Sequence, residues 1–336
     1  MSDRRSGPAY LACARPRAAL AYVHTYHGEA LMGRLEGRIA IVTGAGRGLG
    51  RAHALKLAAE GAAVVVNDRG SSLDGSGVSL TPAEEVVEEI HRAGGRAVAS
   101  GHDVGDWNDA EALIRQAVAS FGDLHVLVNN AGIIRDRTLA NMSEEEWDVV
   151  IRVHLKGHAA TTRHAMAYWR DRAKQTGQPV KASVVHTSSL AGIAGNFGQA
   201  QYSAAKLGVV ALSRVVALEG ARMGVRSNAV SPSARTRFTE GMGVPPAASG
   251  FDARDPANVS PLIAWLATAD CPANAQLFQV YGSRLLVFSM PKIVHDLQTQ
   301  GQWTLEALDH ALAGSLVEHL KVEELLAMLR PPEGKS

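Results

Sequence analysis

One stretch constrains the fold more than any other, because a short apolar segment leads directly into a cluster of glycines and then into a helix-forming segment. Residues 39–42 predict a buried strand, residues 43–50 (Thr-Gly-Ala-Gly-Arg-Gly-Leu-Gly) a turn, and residues 51–60 a helix that ends at Gly61. A helix that begins at such a turn presents unpaired N–H groups and the positive end of its dipole. The stretch therefore predicts a site for the phosphates of a dinucleotide.

The same alternation of short apolar runs and amphipathic stretches continues along the chain. Strands that are apolar on both faces and alternate with helices indicate a parallel sheet covered on each side. We therefore predict a single α/β domain, a doubly wound (Rossmann) parallel seven-stranded sheet with helices on both faces. The predicted strands are residues 39–42, 62–66, 97–100, 124–128, 183–186, 226–230 and 277–280. The later helices are predicted near residues 83–93, 107–120, 143–170, 203–222 and 258–268.

The predicted domain covers residues 33–282 and leaves a segment at each end. Residues 1–32 are rich in Arg and Ala and poor in acidic residues, and we expect a disordered extension rather than a transit peptide. Residues 283–336 predict one helix after Thr304, a candidate N-cap, and another over residues 316–329. We expect this helical extension to pack on the domain or on a partner subunit.

Composition argues against several classes of protein. The formal net charge of +1 gives no reason to expect nucleic acid or an anionic membrane as a partner. No apolar run approaches the roughly 20 residues needed to cross a bilayer. Cys13 and Cys271 are too few for a disulfide framework and fit a cytoplasmic protein. The 13 histidines show no metal-ligand spacing, so no metal is expected.

Three of the four glycines in the turn have separate physical roles. Gly44 permits the tight turn, Gly48 lets the backbone approach a pyrophosphate, and Gly50 permits close packing of helix on sheet. A glycine-rich loop is weak evidence alone, since many loops are glycine-rich for conformational reasons. Its position between a strand and a helix makes this one informative.

The end of the second predicted strand bears on which dinucleotide would bind. Asp68 lies 24 positions after Gly44, where a carboxylate can accept both ribose hydroxyls of the adenosine and repel a 2′-phosphate. Arg47 favours the opposite preference, because a cation in the turn can pair with a 2′-phosphate. We give Asp68 the larger weight because it lies closer to the ribose, so NAD is predicted over NADP. The alternative is that Asp68 is only a turn or capping residue.

Tyr202 and Lys206 stand four residues apart in a predicted helix and therefore share one face. A free phenol has a pKa near ~10, but a nearby ammonium and the positive nicotinamide of an oxidised cofactor both favour phenolate. Lys206 can also hydrogen-bond the nicotinamide ribose. Ser189 follows a predicted strand and can hold a substrate oxygen while Tyr202 exchanges the proton. A Tyr-x-x-x-Lys pair alone also arises by chance on helix surfaces.

Together these motifs resemble the short-chain dehydrogenase/reductase family over about residues 33–282. The resemblance implies an NAD(P)-dependent oxidoreductase acting on CH–OH groups through Ser189, Tyr202 and Lys206. The motifs that fall in family order are Thr43 to Gly50, Asp103-Val104, Asn129-Asn130-Ala131-Gly132, Ser189, Tyr202 and Lys206.

The resemblance also implies a cofactor site. Asp103 and Val104 would flank the adenine, Asn129 would line the cofactor groove, and Pro232 and Thr236 would follow the sixth strand near the carboxamide and phosphates. The full implied set is Gly44, Arg47, Gly48, Leu49, Gly50, Asp68, Asp103, Val104, Asn129, Ala131, Gly132, Tyr202, Lys206, Pro232 and Thr236.

The chain departs from the family pattern at two points. Many members carry an asparagine in the helix before the serine strand, where it completes a catalytic tetrad and holds a water connected to the lysine. His154 stands at that place here, and we include it among the catalytic candidates. An imidazole can hold the same water, or it can simply pack as a polar helix residue. The usual Pro-Gly after the sixth strand is Pro232-Ser233, which leaves the conformation of the following segment open.

Several local strings resemble one branch of the family, the (3R)-hydroxyacyl-CoA dehydrogenase or 17β-hydroxysteroid dehydrogenase type 4 branch. Residues 168–174 and the C-terminal tail are more similar to actinobacterial relatives linked to steroid and acyl-CoA catabolism. The branch implies a 3-hydroxyacyl-CoA or a hydroxysteroid as the small-molecule substrate. The strings that carry the resemblance are residues 65–68, 134–137, 153–157 and 195–200.

The segment 234–256 is irregular, and we expect it to form a lid over the substrate. Arg235 and Arg237 can bind the phosphates of CoA, although a solvated loop explains these arginines equally well. Apolar residues of the lid can line a slot for an acyl chain; they are Phe238, Met242 and Phe251.

Two other functions stay open. One is an NADPH-dependent 3-oxoacyl-thioester reductase, which Arg47 would favour and Asp68 would oppose. The other is a non-catalytic dinucleotide-sensing protein, although such proteins usually lose the tyrosine or the lysine. The resemblance further implies a homodimer or homotetramer.

Overall fold

The computed structural model describes residues 33–237, 250–289, 291, 293–316 and 324. Within these residues, eight strands form one sheet in the order β3-β2-β1-β4-β5-β6-β7-β8. The strands are β1 Ile39–Thr43, β2 Ala63–Asn67, β3 Arg96–Ser100, β4 Val126–Asn129, β5 Ala182–Thr187, β6 Val225–Ser233, β7 Leu277–Tyr281 and β8 Arg284–Phe288. The α-helices are α1 Gly48–Ala59, α2 Thr81–Arg92, α3 Trp107–Phe121, α4 Glu144–Ile151, α5 Gly157–Thr176, α6 Leu190–Ala194, α7 Ala200–Gly220, α8 Ser260–Ala267 and α9 Leu305–Leu312.

The sheet winds outward in both directions from β1. Strand β1 pairs in parallel with β2 on one side and with β4 on the other, and β4 to β7 continue in parallel. The predicted doubly wound sheet of seven parallel strands is confirmed. Strands β2 and β3 are added on one side of β1 and strands β4 to β7 on the other, so the order of strands reverses between β1 and β4. Ligands of open α/β sheets bind beside the carboxyl ends of the strands at such a point.

The predicted number of strands is one too small. Gly282, at a φ of 53°, lies in a tight turn after β7, and β8 returns antiparallel to β7 from Tyr281↔Arg284 to Leu277↔Phe288. The tail that was predicted to be helical therefore begins with a strand. Its first predicted helix is present as α9, with the Thr304 hydroxyl accepting a hydrogen bond from the Ala307 N–H at 3.1 Å.

Two predicted segments fall largely or wholly outside the described residues. They are the N-terminal extension of residues 1–32 and, apart from residues 316 and 324, the second tail helix over residues 316–329.

Helices cover both faces of the sheet, and alternate residues of each strand point to opposite faces. We call the side packed by α1, α2 and α8 the first face, and the side packed by α3, α5 and α7 the second face. In β1, Ala40 and Val42 belong to the core of the first face and Ile41 to that of the second. No helix in the described ranges is both long and apolar enough to span a membrane.

The helix predicted over residues 143–170 is interrupted. Helix α4 begins with a capping box in which the Ser143 hydroxyl accepts from the Glu146 N–H and the Glu146 carboxylate accepts from the Ser143 N–H. A π-helical turn then occupies Arg152–Lys156, and α5 follows from Gly157. Such π turns are frequent at functional sites, and this one carries His154.

Candidate active site

A cavity of about 420 Å³ lies at the carboxyl ends of the central strands. Its wall contains the four predicted catalytic residues, which are Ser189, Tyr202, Lys206 and His154. It also contains each residue predicted to bind the cofactor except Asn129. The fold therefore brings the candidate residues together at one cavity, although they are spread over more than 190 positions of the sequence, from Gly44 to Thr236.

The glycine turn has a backbone shape that larger residues would disturb. Gly44 has a φ of 63°, and a Cβ on it would lie 2.7 Å from the Cα of Ala131. A Cβ on Gly50 would lie 2.1 Å from the carbonyl oxygen of Gly44. Helix α1 begins at Gly48, directly on the cavity wall. A narrow backbone cradle at a helix N-terminus fits the pyrophosphate of a dinucleotide.

Asn130, which directly follows β4, holds the glycine turn in place through hydrogen bonds. The Asn130 side-chain amide donates to the carbonyl oxygens of Thr43 and Gly44 at 3.0 and 3.2 Å. In return, the Thr43 hydroxyl accepts from the N–H groups of Asn130 and Ala131 at 2.9 and 3.1 Å. Asn130 is the second residue of the Asn-Asn-Ala-Gly motif, so the motif alone could have indicated that this residue supports the glycine turn.

The carboxylate of Asp68 is fixed at the end of β2 by two backbone donors. It accepts from the N–H of Gly46 at 2.8 Å and from the N–H of Gly70 at 2.6 Å. A Cβ on Gly46 would lie 2.9 Å from the same carboxylate. The negative charge is therefore held next to the glycine turn on the cavity wall, while Arg47 is exposed there.

Asp103 lies at the same end of the cavity, between two cations. Its carboxylate accepts from Arg69 at 2.6 Å and from Arg152. Arg69 directly follows Asp68, and this ion pair directs its guanidinium toward Asp103. Val104, on the cavity wall beside this ion-paired group, is buried.

Asn129 does not lie on the cavity wall, in contrast to its predicted place. It is buried, and its side-chain amide donates to the Thr162 hydroxyl at 2.9 Å while its side-chain carbonyl accepts from the Thr161 hydroxyl at 2.7 Å. The structure brings Asn130 to the wall instead. The reason is alternation along the strand end, since neighbouring side chains point to opposite sides.

Tyr202 and Lys206 lie on α7 as predicted, one turn apart. The Ser189 hydroxyl shares the cavity wall with the Tyr202 phenol and is close enough to lower the pKa of that phenol. Ser189 itself caps α6, accepting from the N–H of Ala191 at 3.2 Å. The Lys206 ammonium is buried and donates to the Thr187 carbonyl oxygen at 2.7 Å, and its nitrogen lies 5.6 Å from the centre of the Tyr202 ring.

The two groups are shifted in opposite directions by their surroundings. Burial raises the pKa of Tyr202 to about 12, the nearby Ser189 hydroxyl opposes this, and the Asp136 carboxylate adds to it. Burial lowers the pKa of Lys206 to about 7. The side chains of the protein alone therefore do not lower the pKa of the phenol, because desolvation outweighs the effect of the Ser189 hydroxyl.

His154 projects from the π turn and is held by the backbone of one residue. Its Nε2 lies 2.8 Å from the carbonyl oxygen and 3.1 Å from the N–H nitrogen of Ile133. Its ring packs edge-on against that of Tyr202, with centroids 5.1 Å apart. A Cβ on Gly132 would lie 2.5 Å from the imidazole, so this glycine makes room for the ring. The Nδ1 atom is buried and has no protein partner among the described residues.

The sequence matches the model of the short chain dehydrogenase family over residues 38–241. The chain belongs to the short-chain dehydrogenases. It is an oxidoreductase that acts on CH–OH groups, and its family binds a nicotinamide dinucleotide. The glycine cradle and the Asp68 carboxylate described above fit that group.

Relatives of this dehydrogenase confirm the predicted branch. Hydroxyacyl-CoA dehydrogenase ChsB1 of Mycobacterium tuberculosis is 45% identical over 272 residues, covering 80% of this chain and 84% of that protein. Peroxisomal multifunctional enzyme type 2 of Mus musculus is 44% identical over 247 residues, covering 74% of this chain. The chain spans 32% of the length of the mouse protein. A short chain dehydrogenase structure from Mycobacterium avium has a TM-score of 0.77 at 48% identity, covering 86% of this chain and 99% of that one.

The residues predicted for the lid of this dehydrogenase take different positions. Arg235 pairs with Asp252, at 2.8 and 3.1 Å, whereas Arg237 lies on the cavity wall. Arg254 also lies on the wall and was not predicted. Phe251 is exposed and does not line the cavity. Phe238 and Met242 lie outside the described residues.

Proposed function

We propose that this dehydrogenase interconverts a secondary alcohol and a ketone with NAD, and that its substrate is a 3-hydroxyacyl-CoA or a hydroxysteroid. The observation that carries the proposal is that the Tyr202 phenol and the Ser189 hydroxyl share the cavity wall, with the buried Lys206 one helical turn after Tyr202. The similarity to a hydroxyacyl-CoA dehydrogenase supports the first substrate class.

We assign separate roles to the four catalytic candidates. A bound oxidised dinucleotide supplies the hydride acceptor and a positively charged ring. In the direction of oxidation, the Ser189 hydroxyl holds the substrate oxygen, and the Tyr202 oxygen takes its hydroxyl proton. Lys206 holds positive charge near the phenol and thereby favours phenolate. His154 links the π turn to the backbone of Ile133 and so holds these two parts of the cavity wall in place.

The preference for NAD rests on Asp68. Two backbone donors hold its carboxylate on the cavity wall, so it cannot easily turn away from a ribose or from a 2′-phosphate. Arg69 is the nearest cation along the chain, and its ion pair with Asp103 leaves less of its positive charge available to a 2′-phosphate. Both features favour NAD over NADP.

A second function is favoured by a different observation. The exposed Arg47 on the cavity wall and the raised pKa of Tyr202 suit an NADPH-dependent reductase of 3-oxoacyl thioesters, in which a protonated phenol donates to the carbonyl oxygen. We place this function second because Asp68 lies nearer the predicted ribose position.

A CoA thioester requires cations for its phosphates, and the cavity wall offers them. Arg237 and Arg254 both line it, and Arg237 donates to the Ser71 carbonyl oxygen at 3.4 Å. We assign these two arginines to the phosphates of the substrate in place of Arg235, whose guanidinium is held by Asp252. A hydroxysteroid carries no phosphate and would not use them.

Organisation beyond the site is also proposed. We assign residues 33–282 to the catalytic domain and residues 283–336 to an extension that packs on the domain or on a second subunit, in a homodimer or homotetramer. We place the protein in the cytoplasm, which fits the free, buried Cys271 thiol. Light scattering at micromolar concentration tests the oligomer, and a monomeric mass would contradict it.

One assay separates the substrate classes. Formation of NADH or NADPH is followed by absorbance with (3R)- and (3S)-hydroxyacyl-CoAs, hydroxysteroids and simple secondary alcohols, each with NAD and with NADP, and consumption of NADH or NADPH is followed with 3-oxoacyl thioesters. We expect turnover with a hydroxyacyl-CoA and NAD. A double variant with Arg237→Ala and Arg254→Ala should raise the KM of the CoA thioester but not that of a hydroxysteroid. Turnover restricted to NADPH and 3-oxoacyl thioesters would replace the first proposal by the second.

A further inference from the structure

Two buried histidines have no part in the reaction described above, and one of them, His186, directly precedes Thr187, whose carbonyl oxygen accepts from Lys206 at 2.7 Å. His158 is on the first turn of α5, His186 is on β5, and both are at most 1% exposed. Their Nδ1 atoms approach to 3.3 Å, and their rings are stacked with centroids 5.4 Å apart. Residues 28 positions apart are thus joined inside the protein, on the second face of the sheet.

The contact determines how the two rings are protonated. A neutral imidazole has one N–H and one acceptor nitrogen, so an Nδ1-to-Nδ1 hydrogen bond needs the proton on Nδ1 of one ring and on Nε2 of the other. The two Nε2 atoms then offer one acceptor and one donor. Both are buried without a protein partner among the described residues. Buried polar atoms in this situation usually hold ordered water.

The charges around the pair keep it neutral. Lys206 from α7 and His154 from the π turn are the titratable groups that act on His158, and Lys206 also acts on His186. Burial and then Lys206 hold the pKa of His158 well below its ordinary value, and the same causes lower the pKa of His186 to about 3. A neutral pair can offer lone pairs to an ammonium without repelling it.

We propose that His158 and His186 are positioning residues for Lys206, and that the pair and the water on its free nitrogens solvate the ammonium from the core side. The inference rests on the proposed function, because it assumes that Lys206 tunes the Tyr202 phenol. Thr187 supplies one acceptor to the ammonium, which has three donors. Polar groups on the core side lessen the desolvation that otherwise favours the neutral amine.

The pH profile of oxidation tests the proposal. With His158→Leu or His186→Leu, the ammonium is less solvated, so less positive charge remains near the phenol and more alkaline pH is needed to form phenolate. We expect the acid limb of kcat to move up by about half a pH unit or more, with the KM of the dinucleotide within about twofold of the parent. Because the pair acts as a unit, the double variant should shift the limb no further than the larger single shift.

His164→Leu is the matched control. His164 is on the same helix, is also buried and also has an unpartnered Nε2, but its ring faces Trp107 at a centroid distance of 5.4 Å. We expect this variant to leave the acid limb in place. An unmoved limb in both folded variants of the pair, or an equal shift in the control, would overturn the inference.

A measurement on the unmodified protein covers the case in which the variants fail to fold. Nitrogen-15 NMR of labelled histidine side chains reports the tautomer of each ring. We expect two neutral rings of opposite tautomer that do not titrate between pH 5 and 9. The same tautomer in both rings, or titration within that range, would contradict the pair. Full activity of a Tyr202→Phe variant would instead contradict the proposed function, so the two failures are distinguishable.

Discussion

The two faces of the sheet differ at the carboxyl ends of the strands, where the site lies. On the first face the strand ends remain apolar, with Val42, Val66 and Val128 all buried in the core under α1 and α2. On the second face the same level is polar, with Asn129 and His186 buried side by side in register on β4 and β5. The end of the cavity beside the glycine turn of residues 43–50, the dinucleotide end, is shaped mainly by backbone. The end beside Ser189 and Tyr202, the reaction end, depends on buried side chains.

This difference has an energetic consequence. A backbone cradle such as Gly44 and Gly50 has no side-chain charge to desolvate. Each buried polar side chain must instead find partners, since an unsatisfied one costs about 1–3 kcal/mol. The second face meets part of this need through the hydrogen bond that Thr161 donates to Asn129, the one that Asn129 donates to Thr162, and the contact between His158 and His186. The comparison predicts that substitutions on the second face alter turnover, whereas substitutions at the backbone cradle alter dinucleotide binding.

The largest effect is expected at the reaction end. Tyr202→Phe removes the group that exchanges the proton, and kcat should fall by about 10²- to 10⁴-fold while dinucleotide binding persists. Tyr168→Phe is the control, because that phenol donates to Asp123 at 2.6 Å outside the cavity. Steady-state kinetics and fluorescence titration with NADH measure the two quantities. A Tyr202→Phe enzyme that also fails to bind NADH would mean that the two ends are not separable.

The next effect is expected at the dinucleotide end. Asp68→Asn removes the negative charge but keeps an oxygen that can accept from Gly46 or Gly70. Charged hydrogen bonds contribute about 1.5–3 kcal/mol, so the ratio of the Kd values for NADPH and NADH should shift toward NADPH by roughly 10- to 100-fold. Asp74→Asn, in the exposed neighbouring loop, controls for the loss of one charge. An unchanged ratio would assign Asp68 to the turn alone.

The dinucleotide end was largely predictable from sequence, and the reaction end only in part. Gly44, Gly50 and Asp68 could be placed because they are close in sequence and because a strand, a turn and a helix define their geometry locally. His158 and His186 could not be paired, since their contact depends on how α5 packs on β5. The π turn was missed because its sequence resembles that of an uninterrupted helix. Strand β8 left a signal, the Gly282-Ser283 turn between two apolar runs.

A smaller effect on turnover is expected from His154, which lies between the two ends. His154→Ala removes the contacts with the backbone of Ile133, so the π turn should loosen and kcat should fall by about tenfold, corresponding to ~1.4 kcal/mol. The KM of the dinucleotide should change little. His154→Asn should restore much of kcat, because an amide can both donate to and accept from that backbone. If asparagine were no better than alanine, His154 would act through its ring rather than through these bonds.

The smallest effect concerns acid stability and compares single histidines from the two faces. His53 on the first face, bonded to Ser260 at 2.9 Å, has its pKa lowered to about 3 by burial, as does His186 on the second. The unfolded chain therefore takes up these protons first, so stability present above about pH 6.5 is lost as the pH falls toward 3.

Each such histidine should lower the free energy of unfolding by about 1.4 kcal/mol per pH unit well below 6.5. His53→Gln and His186→Gln should each remove about 1.4 kcal/mol of the loss in unfolding free energy between pH 7.5 and 5.5, as measured by urea denaturation. The two faces then diverge in a second property. Only His186→Gln should also move the acid limb of kcat, because His186 directly precedes Thr187, which accepts from Lys206, whereas His53 lies on the first face. If both variants changed the acid limb equally, the loss of stability in acid and the change in proton transfer would share a cause other than the polar side chains of the second face.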